Sequence, residues 1–293
     1  MTFLEPNSII KEKNNMINFL HNFNPQPLFF SWGGIEIYWY GFFIVTGIIA
    51  GLITTLILAN YYDISRDTIF DLAFWLIIAG IVGARICHIL LAFDYYWGHP
   101  EDIIKVWQGG LAIHGAIIAG IIVLLVYAGK KNIFREEKKA NLKNFWLLAA
   151  LLAPALALAQ AIGRWGNYFN QELFGKPTNL PWGIPINIMN RPVEFISSEY
   201  FHPAFLYESL GSLLIFLILI GLHAWYLKKK KQSYEFFLIA YAILYSVLRF
   251  ATEMIRIDPT PELLGLRFPQ IISIVIIVLA LILTIPQIKS KIT

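Results

Sequence analysis

Arginine, histidine and glutamate side chains stand inside or at the ends of long apolar stretches of this sequence. A charge in hydrocarbon costs at least about 2.5–3.5 kcal/mol, so each of these residues asks for a reason. Tyr245, Arg249, Glu253 and Arg256 fall at i, i+4, i+8 and i+11, one stripe of a helix. Arg249 and Glu253 make an i, i+4 pair that offsets the penalty of burial. A structural ion pair facing a bundle interior accounts for those two and leaves Arg256 and Tyr245 without a role.

A second group lies in the run from Gly163 to Gly175, which holds Arg164, Asn167 and Glu172. If the preceding helix continues one more turn, Arg164 and Asn167 share a face at i and i+3. Guanidinium is a planar fork suited to phosphate or carboxylate. Asn167 can donate to the same oxygens, and Glu172 can orient the arginine. The plainer alternative is an interfacial arginine that touches bulk lipid.

His114 follows Gly109-Gly110-Leu111-Ala112-Ile113 and precedes Gly115, where glycines permit close backbone approach or a tight turn. Imidazole is the usual side chain for proton transfer near neutral pH, although a lone histidine is often only a satisfied polar group. Arg85, in Gly83-Ala84-Arg85, stands about 10 Å from the outer end of its span at 1.5 Å per residue. It therefore either snorkels to the interface or belongs to a site. Arg164 and Arg249 fall at similar outer depth and describe a pocket for an anionic phosphate still attached to a lipid. These residues alone do not name a reaction.

The elements that must position them are membrane helices. The 293-residue chain is 57% hydrophobic and 14% charged, and the apolar residues are gathered into blocks, as in a bilayer protein. Seven spans are expected, near 37–59, 69–92, 111–128, 145–162, 204–227, 235–255 and 268–288, the third and fourth being short. Aromatic residues such as Tyr38, Trp39, Tyr40, Tyr95, Tyr96, Trp97 and Trp225 mark their ends.

Lys130, Lys131, Arg135, Lys138, Lys139 and Lys143 crowd one loop, and Lys228 to Lys231 crowd another. With Arg66, Lys289 and Lys291 they fall on one side, which the positive-inside rule makes cytoplasmic. The N-terminus is then outside and the C-terminus inside. Residues 1–36 read as an extracytoplasmic segment without the form of a cleavable signal, 37–288 as the membrane domain and 289–293 as a cytoplasmic tail. The connection 163–203, rich in Pro, Gly, Asn and aromatic residues, is expected to be a structured outer cap. The fold class is thus all-α: a polytopic bundle of seven transmembrane helices with an extracytoplasmic cap between the fourth and fifth.

The single cysteine, Cys87, excludes an intramolecular disulfide and makes a cysteine metal site implausible. Gly47 with Gly51, and Gly80 with Gly83 and Ala84, read as helix-packing positions. Basic residues confined to short loops argue against nucleic acid as a partner.

Several pieces, in order, resemble the phosphatidylglycerol–prolipoprotein diacylglyceryl transferase family over most of the chain. They are Tyr38-Trp39-Tyr40-Gly41, Gly83-Ala84-Arg85, Gly109 to Gly115, Gly163-Arg164-Trp165-Gly166-Asn167 through Gly175, His202-Pro203 with Leu206-Tyr207-Glu208, and Arg249 through Arg256. The resemblance implies phosphatidylglycerol as donor and the lipobox cysteine of a prolipoprotein signal sequence as acceptor. It implies a thioether product, release of glycerol phosphate, and no metal or organic cofactor. It carries functional roles onto His114, Arg164 and Arg249 as catalytic residues. Onto Tyr40, Arg85, Asn167, Glu172, Gly175, Tyr245, Glu253 and Arg256 it carries substrate binding. Ala116, Gln171 and Leu248 stand where that family usually has glycine, and His88 falls near a common tyrosine position.

Two other readings fit part of the pattern. A transporter of an anionic substrate would explain intramembrane charges and predicts repeat symmetry or broken midplane helices; no convincing repeat is present. Another lipid-headgroup transferase would suit the arginines and leave the motifs unexplained.

Overall fold

The computed structural model describes residues 21–129, 141–229 and 233–289. Lys130, Lys131, Arg135, Lys138, Lys139, Lys230, Lys231 and Lys291, on which the topological reading drew, lie outside the described residues.

A hairpin of β1 (Leu28–Trp32) and β2 (Ile35–Tyr38) leads into helix α1 (Trp39–Tyr61). Helix α2 (Arg66–Leu91) follows after a short turn. The Ser65 hydroxyl caps α2 by accepting from the Thr68 amide, and Asp67 in the first turn suits the positive helix end. A short α3 (Phe93–Gly98) and two 3-10 turns lead to α4 (Ile113–Ala128). Next come α5 (Asn141–Phe169) and a connection carrying β3 (Ile184–Pro185) and β4 (Tyr200–Phe201), then α6 (Ala204–Lys229) and α7 (Glu235–Glu253). The hairpin β5 (Glu262–Leu263) and β6 (Leu266–Arg267) runs directly into α8 (Phe268–Lys289).

Five of these helices, α1, α2, α5, α6 and α7, are long and apolar enough to cross a membrane. The apolar helices α4 and α8 are shorter by the same measure. The fourth expected span is not short. Helix α5 runs for 29 residues, about 43 Å at 1.5 Å per residue, straight through Pro154 and past Gly163 and Gly166. Apolar surroundings tolerate helix breakers that would end a helix in water. Conversely α7 stops at Glu253, two residues before the expected end. Arg256 therefore lies in the chain beyond the helix and does not complete the expected helical stripe.

Two compact units are built from this chain: one from the residues through Gly51 with Leu156–Leu222 and Ile239 onward, the other from Leu52–Ala155 and His223–Leu238. In the second unit α2 and α4 meet backbone to backbone. A Cβ added at Gly115 would lie 2.0 Å from the Gly83 carbonyl oxygen and 2.5 Å from Cys87 Cβ. Only glycine permits that approach, as small-residue packing in membranes requires. In the first unit a Cβ at Gly47 would come within 3.1 Å of the Ala159 carbonyl oxygen, the same device in milder form.

The segment expected to form a cap begins inside α5 and then carries two short strands and two 3-10 turns. Tyr168, Phe174, Ile184, Ile186, Phe201 and Phe205 form a buried apolar cluster beneath β3 and β4. Gln171, at a usual glycine position, sits at φ 51°. A side chain there is strained, and its amide compensates by bonding. It donates to Asn24 Oδ1 (2.7 Å) and the Pro25 carbonyl (2.9 Å) and accepts from the Asn187 amide (2.6 Å). Leu248, another such position, packs over Gly211.

Candidate active site

In the first unit, arginines from different segments converge on one buried carboxylate, Glu208 of α6. Arg164 of α5 places Nε 2.5 Å from Glu208 Oε2. Arg249 of α7 places Nη1 2.9 Å, and Arg256 places Nη1 3.2 Å, from Glu208 Oε1. A second carboxylate, Glu253, is fully buried at the end of α7 and holds Arg249 Nη2 at 2.8 Å and Arg267 Nε at 3.2 Å. The oxygens of Glu253 and Oε2 of Glu208 meet these partners as ion pairs, at angles outside hydrogen-bond geometry. Asp258 completes the set, with Oδ1 2.7 Å from Arg256 Nε. Asp258 also receives Arg267 Nη2, whose approach to Oδ2 is 3.5 Å.

This is an electrostatic network in which every buried charge has an opposite partner, as burial demands. Burial pushes the Asp258 carboxyl up, but the Arg256 hydrogen bond and the charges of Arg256 and Arg267 outweigh it and hold the group below its usual range. Burial likewise opposes the charge of Arg256, and the Asp258 hydrogen bond with the Glu208, Asp258 and Glu253 charges raises it above its ordinary value.

The members differ in exposure. The Arg164 and Arg249 side chains are 22% and 18% exposed, against 4% for Arg256 and Glu208. Of the three arginines on Glu208, Arg164 and Arg249 are thus the more accessible, with Arg256, Glu208 and Glu253 buried behind them and Asp258 partly open at 24%. Arg164 Nη1 donates to Asn167 Oδ1 (3.3 Å), and Asn167 Nδ2 donates to Glu172 Oε1 (2.8 Å). Glu172 thus acts on the arginine through the asparagine. Tyr40 packs over Gly166, where a Cβ would come 2.8 Å from the Tyr40 ring, so the phenol lies against the turn that carries Arg164. A hollow of about 490 Å³ opens beside Tyr40, lined also by Glu36, Ile37, Tyr38, Gly41 and Asn170.

Gly175 contributes backbone. Its amide donates to the His202 carbonyl (2.9 Å), and the Lys176 amide donates to the Ile255 carbonyl (2.8 Å). A Cβ at Gly175 would meet His202 Cβ at 2.8 Å and the Ile255 carbonyl oxygen at 3.1 Å. Glycine is needed here so that the chain can bridge to Arg256 and fix it. Tyr245 stacks on Tyr241 with ring centroids 5.8 Å apart, and Tyr241 donates to Gln160 Oε1 at 3.0 Å.

Arg85 and His114 belong to the second unit. Arg85 is buried and its guanidinium donates only to backbone carbonyls: Nε to Ile103 (2.9 Å), Nη1 to Gly109 (2.7 Å) and Gly110 (3.0 Å), and Nη2 to Asp102. The Tyr96 ring lies under it, with the guanidinium carbon 5.1 Å from the centroid. These bonds pin the loop that precedes α4. His114 is exposed in the first turn of α4, and the Ala112 amide just before it donates to the Ala84 carbonyl (3.0 Å). Arg85 thus fastens the approach to His114 on both glycines.

Residues 27–286 match the model of a family described as prolipoprotein diacylglyceryl transferase. This chain belongs to that family. A phosphatidylglycerol–prolipoprotein diacylglyceryl transferase of a Nostoc species is 43% identical over 260 residues, covering 88% of each chain. The Synechocystis protein of the same name is 41% identical over 258 residues, 87% of each. The one from Finegoldia magna is 41% identical over 262 residues, 89% of this chain and 94% of its own. The chain is a transferase, as the motifs implied. Glu208, Asp258 and Arg267 are the residues of the network that the motif reading did not assign. For Glu208 the signal was present: a lone carboxylate near the start of an otherwise apolar span.

Proposed function

We propose that this protein transfers the diacylglyceryl group of phosphatidylglycerol to the lipobox cysteine thiol of a prolipoprotein, the first step of lipoprotein maturation. The observation that carries the reading is the convergence of Arg164, Arg249 and Arg256 on Glu208, with Arg164 and Arg249 the exposed members. That arrangement suits one phosphate at the headgroup of a lipid.

The cysteine sulfur attacks C3 of the donor's glycerol backbone. An S–C bond forms, the C–O bond to phosphate breaks, and glycerol phosphate leaves with the bonding pair on oxygen. Free thiol titrates near pH 8.5, so the sulfur must lose its proton first. His114 takes that proton, directly or through water; the alternative is that His114 only positions the headgroup and the arginine field lowers the thiol pKa. Arg164 and Arg249 hold the phosphate and stabilise the charge that grows on it. Asn167 and Tyr40 add hydrogen bonds, and Glu253 orients Arg249.

Both substrates are bilayer amphiphiles. The protein is placed in a bacterial cell membrane with α4 and α8 completing seven spans, the N-terminus outside and the 163–203 cap over the headgroups, where it limits competing attack by water. This reading requires no nucleic-acid partner.

The test uses membranes containing the full chain, labelled phosphatidylglycerol and a lipobox peptide. Label on the peptide cysteine, abolished by Cys→Ser in the peptide, is the expected result; no transfer sinks the reading. Near-normal turnover of His114→Gln across neutral pH removes the proton-transfer role and leaves positioning.

A further inference from the structure

Glu208 is the hub of the network. It rests on α6, 3% exposed, and draws guanidinium groups from α5, from α7 and from the chain after α7 onto its two oxygens. This carboxylate occupies the electrostatic place of an anionic ligand. Arg164 and Arg249, the exposed pair, must share themselves between Glu208 and a bound phosphate.

The proposed reaction makes that sharing consequential. The donor is a phosphodiester with a single negative charge. The leaving group is a phosphate monoester, which carries about −1.5 to −2 at pH 7. A cluster of arginines tuned to the donor would therefore hold the product more tightly than the substrate, and turnover would stall on release. A buried counter-charge fixed to the same guanidinium groups opposes that trap.

We infer that Glu208 is a positioning residue that competes for Arg164 and Arg249 and so drives release of the glycerol phosphate. The inference rests on the transfer reaction proposed above. It concerns the strength with which the arginines hold a phosphate, not the bond-making step.

The experiment compares purified full-length protein with Glu208→Gln, which keeps the shape and removes the charge. Two quantities are read: product inhibition by added glycerol phosphate during transfer, and equilibrium binding of glycerol phosphate without turnover. Glu208→Gln is expected to bind glycerol phosphate about tenfold more tightly, with Ki and donor KM falling and kcat falling with them. A purely structural role would lower kcat and leave Ki and Kd where they were, and that result overturns the inference. Glu208→Asp keeps the charge but shortens its reach. It is expected to tighten product binding by a smaller factor, about threefold, and unchanged binding there also counts against the inference should the Gln variant not fold. If the unaltered protein transfers no label, the proposed reaction is what fails, while the binding comparison still decides the role of Glu208.

Discussion

Arg85 and Arg256 are equally hidden, each 6% exposed, and they are held in opposite ways. Arg85 donates to the carbonyls of Asp102, Ile103, Gly109 and Gly110. Arg256 faces the carboxylates of Glu208 and Asp258. A carbonyl is a neutral dipole built into the chain, so a guanidinium that binds only carbonyls fixes a loop and has nothing to exchange. A carboxylate is an anion, and an arginine network that already accommodates anions is ready for a phosphate. Burial of an arginine is therefore not by itself the mark of a binding site; the charge of what satisfies it is.

The comparison breaks most visibly at the exposed end of the carboxylate-held group. Arg249→Ala is expected to reduce transfer of label to the lipobox peptide by about 10²–10³-fold, the loss typical of a donor aimed at developing charge. Activity within a few-fold of normal would remove Arg249 from the site. Next in size is Glu253→Gln, which leaves Arg249 and Arg267 short of a buried partner. Thermal or denaturant unfolding should show a loss of about 3–5 kcal/mol, and a loss below 1 kcal/mol would mean the network is screened.

Arg85→Gln sharpens the contrast. It should cost about 1–3 kcal/mol of stability through unsatisfied carbonyls, while the folded fraction loses far less transfer activity than Arg249→Ala does. Equal loss of activity with stability intact would place Arg85 among the ligand-binding arginines. The smallest effect is a dependence on pH. Because the Asp258 carboxyl is held below its usual range, the stability it contributes is fully present above about pH 4. It is lost as the pH falls through the folded value. Asp258→Asn should flatten the acid limb of the unfolding curve, and an unchanged limb would show that other carboxylates carry it.

The long helices were legible because apolar length is a strong signal: α1, α6 and α7 begin within two residues of their expected starts. The pair Arg249–Glu253 was legible too, since i, i+4 spacing is a local property, and it closes at 2.8 Å. The hub was not. Glu208 meets Arg249 and Arg256 at separations of 41 and 48 residues, and no helical period reports such a contact. Arg256 was assigned by extrapolating a helix past Glu253, where the backbone instead turns to bridge with Gly175. The expected fourth span ran through Pro154 but stopped before Gly163, and α5 continues past Gly163 and Gly166 because such glycines do not end a helix among apolar neighbours. Arg85 left both readings open because its partners are backbone atoms, to which residue type gives no clue.

The contact of Gly83 with Gly115 bears on the imidazole next door. At that level only the two glycines and the Cβ atoms of Cys87 and Ala119 lie between α2 and α4, so their spacing is set by atomic radii. His114 inherits its height and azimuth from this seam. A single methyl group introduced at 83 or 115 would act as a wedge, and the His114 ring would travel with the displaced turn.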